Sequence, residues 1–260
     1  MVMGILNVTP DSFSDGGRHS SLARALNHAR AMIAAGAEII DIGGESTRPG
    51  AAEVSAEEEI FRTQPVIKAL RSEWNGCLSI DTMKAEVAAA ALEAGAEIVN
   101  DVSGLTSDPA MIDVCERVGC GIVVMHMQGD PRTMQIAPSY EDVVSEVAAF
   151  FTERQDTLTQ RGIDPETICF DPGIGFGKTV EHNLSLLRGL GDIAPAGRPI
   201  LLGVSRKSFI GKVLESDELA ARAWPTVAIT AWAREVGVRI HRVHDVRSNV
   251  ESLRMTEAIC

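Results

Sequence analysis

Residues 35–41 read AGAEIID, and this frame returns as AGAEIVN at 94–100, as VGVRIHR at 236–242 and, more loosely, as VGCGIVV at 118–124. In each copy a helix-period run ends at the glycine, which suits a helix C-cap, and a β-rich run begins two or three residues later. The fifth residue after the glycine is polar in the first three copies, where it is Asp41, Asn100 or Arg242. These polar residues are therefore predicted to lie at the carboxyl ends of strands.

Eight units of this kind can be traced along the chain. The predicted strands are 3–8, 38–42, 78–81, 97–101, 121–126, 167–171, 199–204 and 239–244. The predicted helices are 21–35, 56–74, 85–94, 109–118, 140–161, 181–190, 217–236 and 246–258. Apolar residues at i, i+3 and i+4 make the helical pattern clearest in 57–70 and 219–232.

The alternation of short apolar strands with helices is typical of parallel pairing. Eight units in 260 residues predict an α/β fold of the (β/α)8 TIM-barrel type, as a single domain over residues 1–260. A doubly wound sheet is the alternative, but it usually has fewer strands. The long βα loops 9–20, 43–55 and 127–139 all fall on the face where barrel enzymes carry their active sites.

The composition narrows the class of partner and the compartment. A formal net charge of −12 argues against nucleic acid or an anionic membrane surface as a partner. No apolar run reaches the roughly 18 residues of a membrane span, and the apolar start lacks the basic residues and cleavage site of a signal peptide. The five cysteines are scattered and include no C-x-x-C pair, so we expect buried free thiols in a reducing cytoplasm.

Polar residues recur where the predicted strands end. They are Asn7, Asp41, Asp81, Asn100, His126, Asp171, Lys207, Arg242 and His244. Turn chemistry explains any one of them as well as a functional role does, since Asn and Asp commonly start turns. Their convergence on one barrel mouth indicates a polar ligand. His126 is an exception, because a structural role explains it better.

These residues divide into two chemical sets. Asp81, Asn100, Asp171 and Lys207 combine carboxylates, an amide and a cation, which suits a flat heterocycle such as a pterin or guanine. Arg242, His244, Asn7 and Arg48, from the second long loop, suit phosphate oxygens. In the second set, Asn7 is a candidate ligand for Mg²⁺ that bridges phosphates.

Two further stretches suggest anion contacts. Residues 171–179 (DPGIGFGKT) miss the P-loop pattern by one residue, because Pro172 stands where the first glycine belongs. On that interpretation Lys178 binds phosphate; on the other, Asp171 is the functional residue, and Lys178 is solvated or braces the loop. Residues 205–211 (SRKSFIG) open a helix, with Ser205 as its predicted N-cap, and the adjacent cations favour an anion contact.

Five motifs together resemble the dihydropteroate synthase family of pterin-binding enzymes. They are ILNVTPDSFSDGG at 5–17, DIGGESTRPG at 41–50, DPGIGFGK at 171–178, SRKSFIG at 205–211 and RVHDV at 242–246. The resemblance runs from about residue 3 to the end of the chain. It implies a (β/α)8 barrel, usually a homodimer, that condenses 6-hydroxymethyl-dihydropterin pyrophosphate with p-aminobenzoate in folate synthesis, with Mg²⁺.

The resemblance also implies roles for individual residues. The implied pterin ligands are Asp81, Asn100, Asp171 and Lys207, and the implied pyrophosphate ligands are Asn7, Arg48, Arg242 and His244, with Mg²⁺ at Asn7. The implied p-aminobenzoate contacts are Phe13, Thr47, Pro49, Lys207 and Ser208. The implied catalytic residues are Lys207, Asp15, His244 and Arg242, with Asp15 near the incoming amine.

The chain departs from the family pattern in two places. The family usually has a short segment before the first strand, whereas this chain begins almost at the strand. Pro225 stands where the family typically has glycine, in a helix associated with the dimer interface.

Three other functions stay open: a pterin-dependent methyltransferase, a P-loop NTPase and a non-catalytic pterin-binding module. The 205–208 and 46–50 motifs weigh against the methyltransferase, and Arg48, Arg242 and His244 weigh against the binding module.

Overall fold

Eight parallel strands form one sheet that closes on itself. The computed structural model describes residues 1–9, 18–47, 51–130 and 133–260, without the side chains of 18–20. The strands are β1 (Val2–Asn7), β2 (Ile39–Gly43), β3 (Cys77–Asp81), β4 (Ile98–Asp101), β5 (Gly121–Met125), β6 (Ile168–Asp171), β7 (Leu201–Leu202) and β8 (Ile240–Val243). Their order is β6-β5-β4-β3-β2-β1-β8-β7, and a parallel bridge from Phe170 to Ile200 joins the two ends. The predicted (β/α)8 barrel is therefore confirmed.

Helices surround this barrel. Those in the described part of the chain are α1 (Arg18–Ala34), α2 (Ala56–Glu73), α3 (Ala85–Glu93), α4 (Met111–Val118), α5 (Val143–Gln160), α6 (Val180–Arg188), α7 (Ser208–Val213), α8 (Ala223–Glu235) and α9 (Val246–Ile259). Local chemistry sets several starts: Ser55 Oγ accepts from Glu58 N at 3.2 Å, and Thr179 forms a capping box with His182. Among the described residues, no helix has the length and apolar character needed to cross a membrane.

The period-2 alternation of the strands separates two cores. One side of each strand packs against the helices, as Phe170 does on Phe151 of α5, with ring centroids 4.7 Å apart. The other side fills the barrel interior. Its lower layer is apolar and consists of Met3, Ile39, Cys77, Ile98, Val123, Cys169, Leu201 and Ile240. Two residues further along β2, β4, β6 and β8, the same face carries Asp41, Asn100, Asp171 and Arg242. The barrel interior thus has a closed apolar layer below, here called the plug, and an open polar layer above, here called the bowl.

The structure corrects several sequence-based element boundaries. The predicted helix 217–236 is split, with a 3-10 turn at Ala220–Arg222 before α8. The helix in the 205–211 motif begins at Ser208, with Lys207 at the cap position, so the prediction of Ser205 as its N-cap is wrong.

Two other features noted in the sequence are Pro225 and the cysteines. Pro225 occupies the first turn of α8, where a missing N–H costs no hydrogen bond. The five cysteines are free, as predicted, although Cys260 is exposed.

Candidate active site

Strand register brings the polar strand ends to one level of the bowl. Asn7 is level with Gly43, Gly43 is level with Asp81, and Asp81 is level with Asn100. Gly43 leaves a gap between its neighbours: a Cβ there would lie 3.6 Å from Asn7 Oδ1 and 3.7 Å from Asp81 Oδ2. The amide and the carboxylate therefore face the same small space across a residue without a side chain.

Arg242 of β8 lies among the carboxylates of the barrel interior. Its Nε donates to Asp41 Oδ2 at 2.6 Å, and its Nη2 donates to Asp81 Oδ2 at 2.6 Å. Asn100 Nδ2 also donates to Asp41 Oδ2, at 3.1 Å. The structure thus places Arg242, a predicted phosphate ligand, next to Asp81 of the heterocycle-binding set. Asp41 was predicted to lie among the polar strand ends but was assigned to neither chemical set, and the structure shows it as the carboxylate that Arg242 and Asn100 share.

Burial and charge act against each other in this cluster. Burial raises the pKa of Asp81 to about 7, against the lowering effect of Arg242, and Asp41 adds a further increase. Burial acts to lower the pKa of Arg242, but Asp41 and Asp81 raise it above its ordinary value. The guanidinium stays charged, while Asp81 takes up a proton more readily than an ordinary aspartate does.

Asp171 and Lys207 form the second half of the bowl. Asp171 Oδ1 accepts from Gly173 N at 2.7 Å, and burial raises the pKa of this carboxyl, against the effect of Lys207. Lys207 donates to the carbonyl of Ile174, and its Nζ lies 4.6 Å from the centre of the Phe176 ring. Burial lowers the pKa of Lys207 to about 8, although Asp171 opposes this. The structure therefore brings together the predicted residues Asp81, Asn100, Asp171 and Lys207 around one buried, charged bowl.

The Gly-rich loop after β6 is not a phosphate cradle. Three of its amides bond acceptors within the protein: Gly173 N donates to Asp171, Gly175 N to Asn183 Oδ1 at 2.7 Å, and Phe176 N to the carbonyl of Gly173. Lys178 is 3 % exposed and bonds protein acceptors, so the idea of a solvated lysine is wrong, and the loop-bracing role is confirmed.

Ser205 orients His244 at the end of β8. Ser205 Oγ accepts from His244 N at 3.1 Å and lies 2.9 Å from His244 Nδ1. The hydroxyl has one proton and two lone pairs, so besides accepting the backbone N–H it can either donate to Nδ1 or accept from it. Where it donates, the ring proton of neutral His244 is on Nε2, which makes that nitrogen a donor.

A partly buried charge network holds the start of the loop after β2. Lys84 Nζ donates to Glu45 and, at 2.7 Å, to the fully buried Glu59, while Glu45 Oε1 accepts from Val54 N at 2.9 Å. Thr47 lines a cavity of about 260 Å³ beside the bowl, together with Lys84. Sequence reasoning did not find this network, because its members lie in three separate segments.

Four predicted site residues, Phe13, Asp15, Arg48 and Pro49, lie outside the described residues. Ser208 opens α7 directly after Lys207, with its side chain exposed. Within the described part of the chain, no group of three or more His, Cys, Asp and Glu side chains is arranged to hold a metal ion. A metal at this mouth would therefore depend on amide oxygen and on oxygens of the ligand.

Fold and site together define a barrel enzyme for a flat polar heterocycle with an anionic group. Residues 3–244 match the family described as pterin binding enzyme. The dihydropteroate synthase of Escherichia coli K12 is 49% identical over 257 residues, which cover 99% of this chain and 90% of that protein.

Two solved structures show the same likeness. Dihydropteroate synthase of Yersinia pestis, solved with a sulfonamide drug complex, has a TM-score of 0.93 at 44% identity, over 99% of this chain and 93% of its own. The Xanthomonas albilineans enzyme, solved with 4-aminobenzoic acid, has a TM-score of 0.93 at 43% identity, over 99% and 92%. The chain belongs to the pterin-binding enzyme family and, within it, to the dihydropteroate synthases.

Replacement of Arg242 with methionine should leave Asp41 and Asp81 buried without their cation. We expect a loss of about 3–5 kcal/mol in the free energy of unfolding at pH 8. The loss should be smaller at pH 5, because Asp81, whose pKa is already about 7 and would rise further, is then protonated. Urea unfolding at the two pH values measures both effects.

Arg234→Met is the matched control, since Arg234 pairs with Glu257 at 2.8 Å on the surface between α8 and α9. That variant should lose less than about 1 kcal/mol at either pH. Equal losses in the two variants would show that the buried cation is not needed to balance the carboxylates.

Proposed function

We propose that this protein condenses 6-hydroxymethyl-7,8-dihydropterin pyrophosphate with p-aminobenzoate, giving 7,8-dihydropteroate and pyrophosphate in folate biosynthesis. The observation that carries the proposal is the bowl of Asp81, Asn100, Asp171 and Lys207, joined to Arg242 at the carboxyl ends of the strands. It occurs in a chain about half identical to dihydropteroate synthases over almost its whole length.

The pterin is assigned to the buried half of the bowl. A pterin edge carries amino and ring N–H donors, which suit the carboxylates Asp81 and Asp171, and a carbonyl, which suits Lys207. Asn100 offers both a donor and an acceptor, although its Nδ2 already bonds Asp41. The Phe176 ring beside Lys207 Nζ gives this cation an apolar wall. A neutral, planar ligand therefore meets polar partners along its edge.

The pyrophosphate is assigned to Arg242, His244, Asn7 and Arg48. Two of the five N–H groups of Arg242 bond the carboxylates, and the guanidinium carries further donors for phosphate oxygens. His244, with its proton on Nε2, donates a hydrogen bond to the leaving group. These contacts strengthen as negative charge accumulates on the departing oxygen.

Mg²⁺ is assigned to Asn7 Oδ1 and to the phosphates of the substrate. Asn7 Oδ1 borders the space that Gly43 leaves open, and the nearby Asp81 Oδ2 is already bonded to Arg242. An ion there would be held by the amide oxygen together with oxygens of the substrate. When bound, the ion supplies positive charge that stabilises pyrophosphate as a leaving group.

The chemistry needs one bond to break and one to form. The bond between the pterin methylene and the pyrophosphate oxygen breaks, and its electron pair leaves with pyrophosphate. The arylamine nitrogen attacks the methylene carbon, forms the new C–N bond and then loses a proton. The buried carboxylates stabilise positive character on the methylene during this exchange.

p-Aminobenzoate is assigned to Thr47, Lys207 and Ser208, together with Phe13 and Pro49, and Asp15 is assigned to the incoming amine.

Two further proposals concern the state of the protein in the cell. A cytoplasmic location is supported by five free cysteines, which persist in a reducing compartment. A homodimer is supported by exposed apolar side chains on the α8 and α9 face. Those side chains are Leu219, Trp224, Trp232, Met255 and Ile259, of which Trp224 is 78% exposed.

The purified protein should release pyrophosphate only when pterin pyrophosphate, p-aminobenzoate and Mg²⁺ are all present. A coupled phosphate assay with pyrophosphatase measures the release, and mass spectrometry identifies dihydropteroate. Chelation of the metal should stop turnover, and added Mg²⁺ should restore it. Release without p-aminobenzoate would point to a hydrolase, and methyl transfer without pyrophosphate chemistry would point to the methyltransferase alternative.

Lys207→Ala should impair the binding of both substrates, because Lys207 lies beside Asp171 and immediately precedes Ser208. We expect kcat/KM to fall about 100-fold or more, the scale on which loss of a buried charged contact acts. Steady-state kinetics with each substrate varied in turn measures the loss. Lys212→Ala, an exposed position on α7, is the control and should retain wild-type kinetics. Wild-type constants in Lys207→Ala would refute the assignment.

Trp224→Glu should convert a dimer into a monomer, because it places a charge in the apolar α8–α9 face. Sedimentation of the wild type should give twice the chain mass of 27.8 kDa, and the variant should give the single mass. Val118→Glu, at an exposed apolar position at the end of α4, should remain dimeric. A monomeric wild type at micromolar concentration would overturn the dimer proposal.

A further inference from the structure

Four consecutive carbonyls of the loop after β6 accept hydrogen bonds from four different side chains. Ile174 O accepts from Lys207, Gly175 O from Gln135 Nε2 at 2.6 Å, Phe176 O from Lys178 Nζ at 2.9 Å and Gly177 O from Tyr140 Oη at 2.9 Å. Such a set holds a loop in one conformation, because each of the four carbonyls has its own side-chain donor. Phe176, which projects from the middle of this set, is thereby held beside Lys207.

Lys178 is the buried member of the set. Besides Phe176 O, its Nζ contacts His126 Nδ1 at 3.0 Å and His126 O at 3.3 Å. Burial lowers the pKa of Lys178 to about 7, and Lys207 adds to this effect. In the charged form, its three N–H groups have three acceptors, the condition under which a buried charge is tolerated. The contact to Nδ1 requires neutral His126, and burial, together with Lys178, lowers the pKa of this histidine to about 3.

The backbone of the loop also packs closely against the backbone at the end of β5. A Cβ on Gly173 would lie 1.9 Å from His126 O, and a Cβ on Gly177 would lie 2.6 Å from Gln128 O. The two backbones are therefore in contact, and Lys178 bonds both of them. Any shift of the loop relative to β5 would break at least one of its hydrogen bonds.

We propose that Lys178, with His126 as its acceptor, is a positioning residue for the pterin half of the bowl. It fixes the Gly-rich loop on the end of β5, so that Phe176 lies over Lys207 and Ile174 O holds the Lys207 ammonium near Asp171. The proposal rests on the proposed function, since the pocket it positions is the one assigned to the pterin. Lys178 itself touches no substrate in this scheme.

Lys178→Met tests the proposal, because methionine keeps the apolar length of the side chain and removes its three donors. Titration calorimetry with the pterin pyrophosphate alone should show binding about tenfold weaker than in the wild type. At saturating pterin, kcat should stay within about threefold, because Lys178 touches no reacting atom. The KM for p-aminobenzoate should rise less than the pterin affinity falls, because the loop positions Lys207 but not the other assigned contacts, Thr47 and Ser208. Lys68→Met, at an exposed position on α2, is the control and should bind as the wild type does.

Substitutions of His126 separate positioning from a general effect on folding. His126→Asn keeps a side-chain oxygen where Nδ1 lies and should retain pterin affinity within about threefold, whereas His126→Leu should lose about tenfold. The double variant Lys178→Met/His126→Leu should bind no more weakly than Lys178→Met, since both changes remove one interaction. If Lys178→Met does not fold, as judged by circular dichroism and thermal melting, the His126 pair carries the test.

The results separate this inference from the proposed function. Pterin affinity that is unchanged in Lys178→Met or in His126→Leu, with the fold intact, would overturn the positioning role. Additive losses in the double variant would also overturn it, because two independent effects would then be at work. If the wild type binds pterin and the variants weaken that binding as expected, but the wild type makes no dihydropteroate, only the proposed function would be wrong.

Discussion

The pairing of Arg242 with Asp41 and Asp81 is the interaction on which the bowl depends. Carboxylates that converge inside a closed barrel raise one another's pKa and resist desolvation, so they require a buried cation. β8 is next to β1 in the closed sheet, and its Arg242 reaches across the interior to β2 and β3. Closure of the barrel is what makes this contact possible between residues about 200 positions apart in the chain.

Closure also separates the roles of the strand residues. Along the inward face, apolar side chains fill the lower barrel and polar side chains follow two residues later, so the boundary between plug and bowl lies within single strands. The plug supplies hydrophobic stability, while the bowl keeps charged groups that cost stability but bind an anionic, heterocyclic substrate. Gly43 illustrates the division, because its missing side chain leaves a gap at the level where Asn7 and Asp81 meet.

The Gly-rich loop shows how one sequence pattern can serve opposite chemistry. Glycines followed by lysine are typical of loops whose amides cradle phosphate. In this loop the carbonyls accept hydrogen bonds from side chains, and several amides bond acceptors within the protein. Positive φ at Gly173, Gly175 and Gly177 lets the chain turn this way beside β5. The lysine is consequently drawn into the interior, where it braces the loop instead of meeting a ligand.

The sequence by itself determined the eight βα units, the parallel barrel, the polar strand ends and the family, because strand and helix periodicity and contiguous motifs are local properties. It could not determine that Arg242 pairs with Asp41, that Ser205 holds His244 instead of capping a helix, or that Lys178 is buried against His126. Each of these contacts joins segments that are distant in sequence, so only the stagger and closure of the strands select them. Polar side chains take whichever partner the packed barrel puts within about 3 Å, and no local pattern encodes that choice.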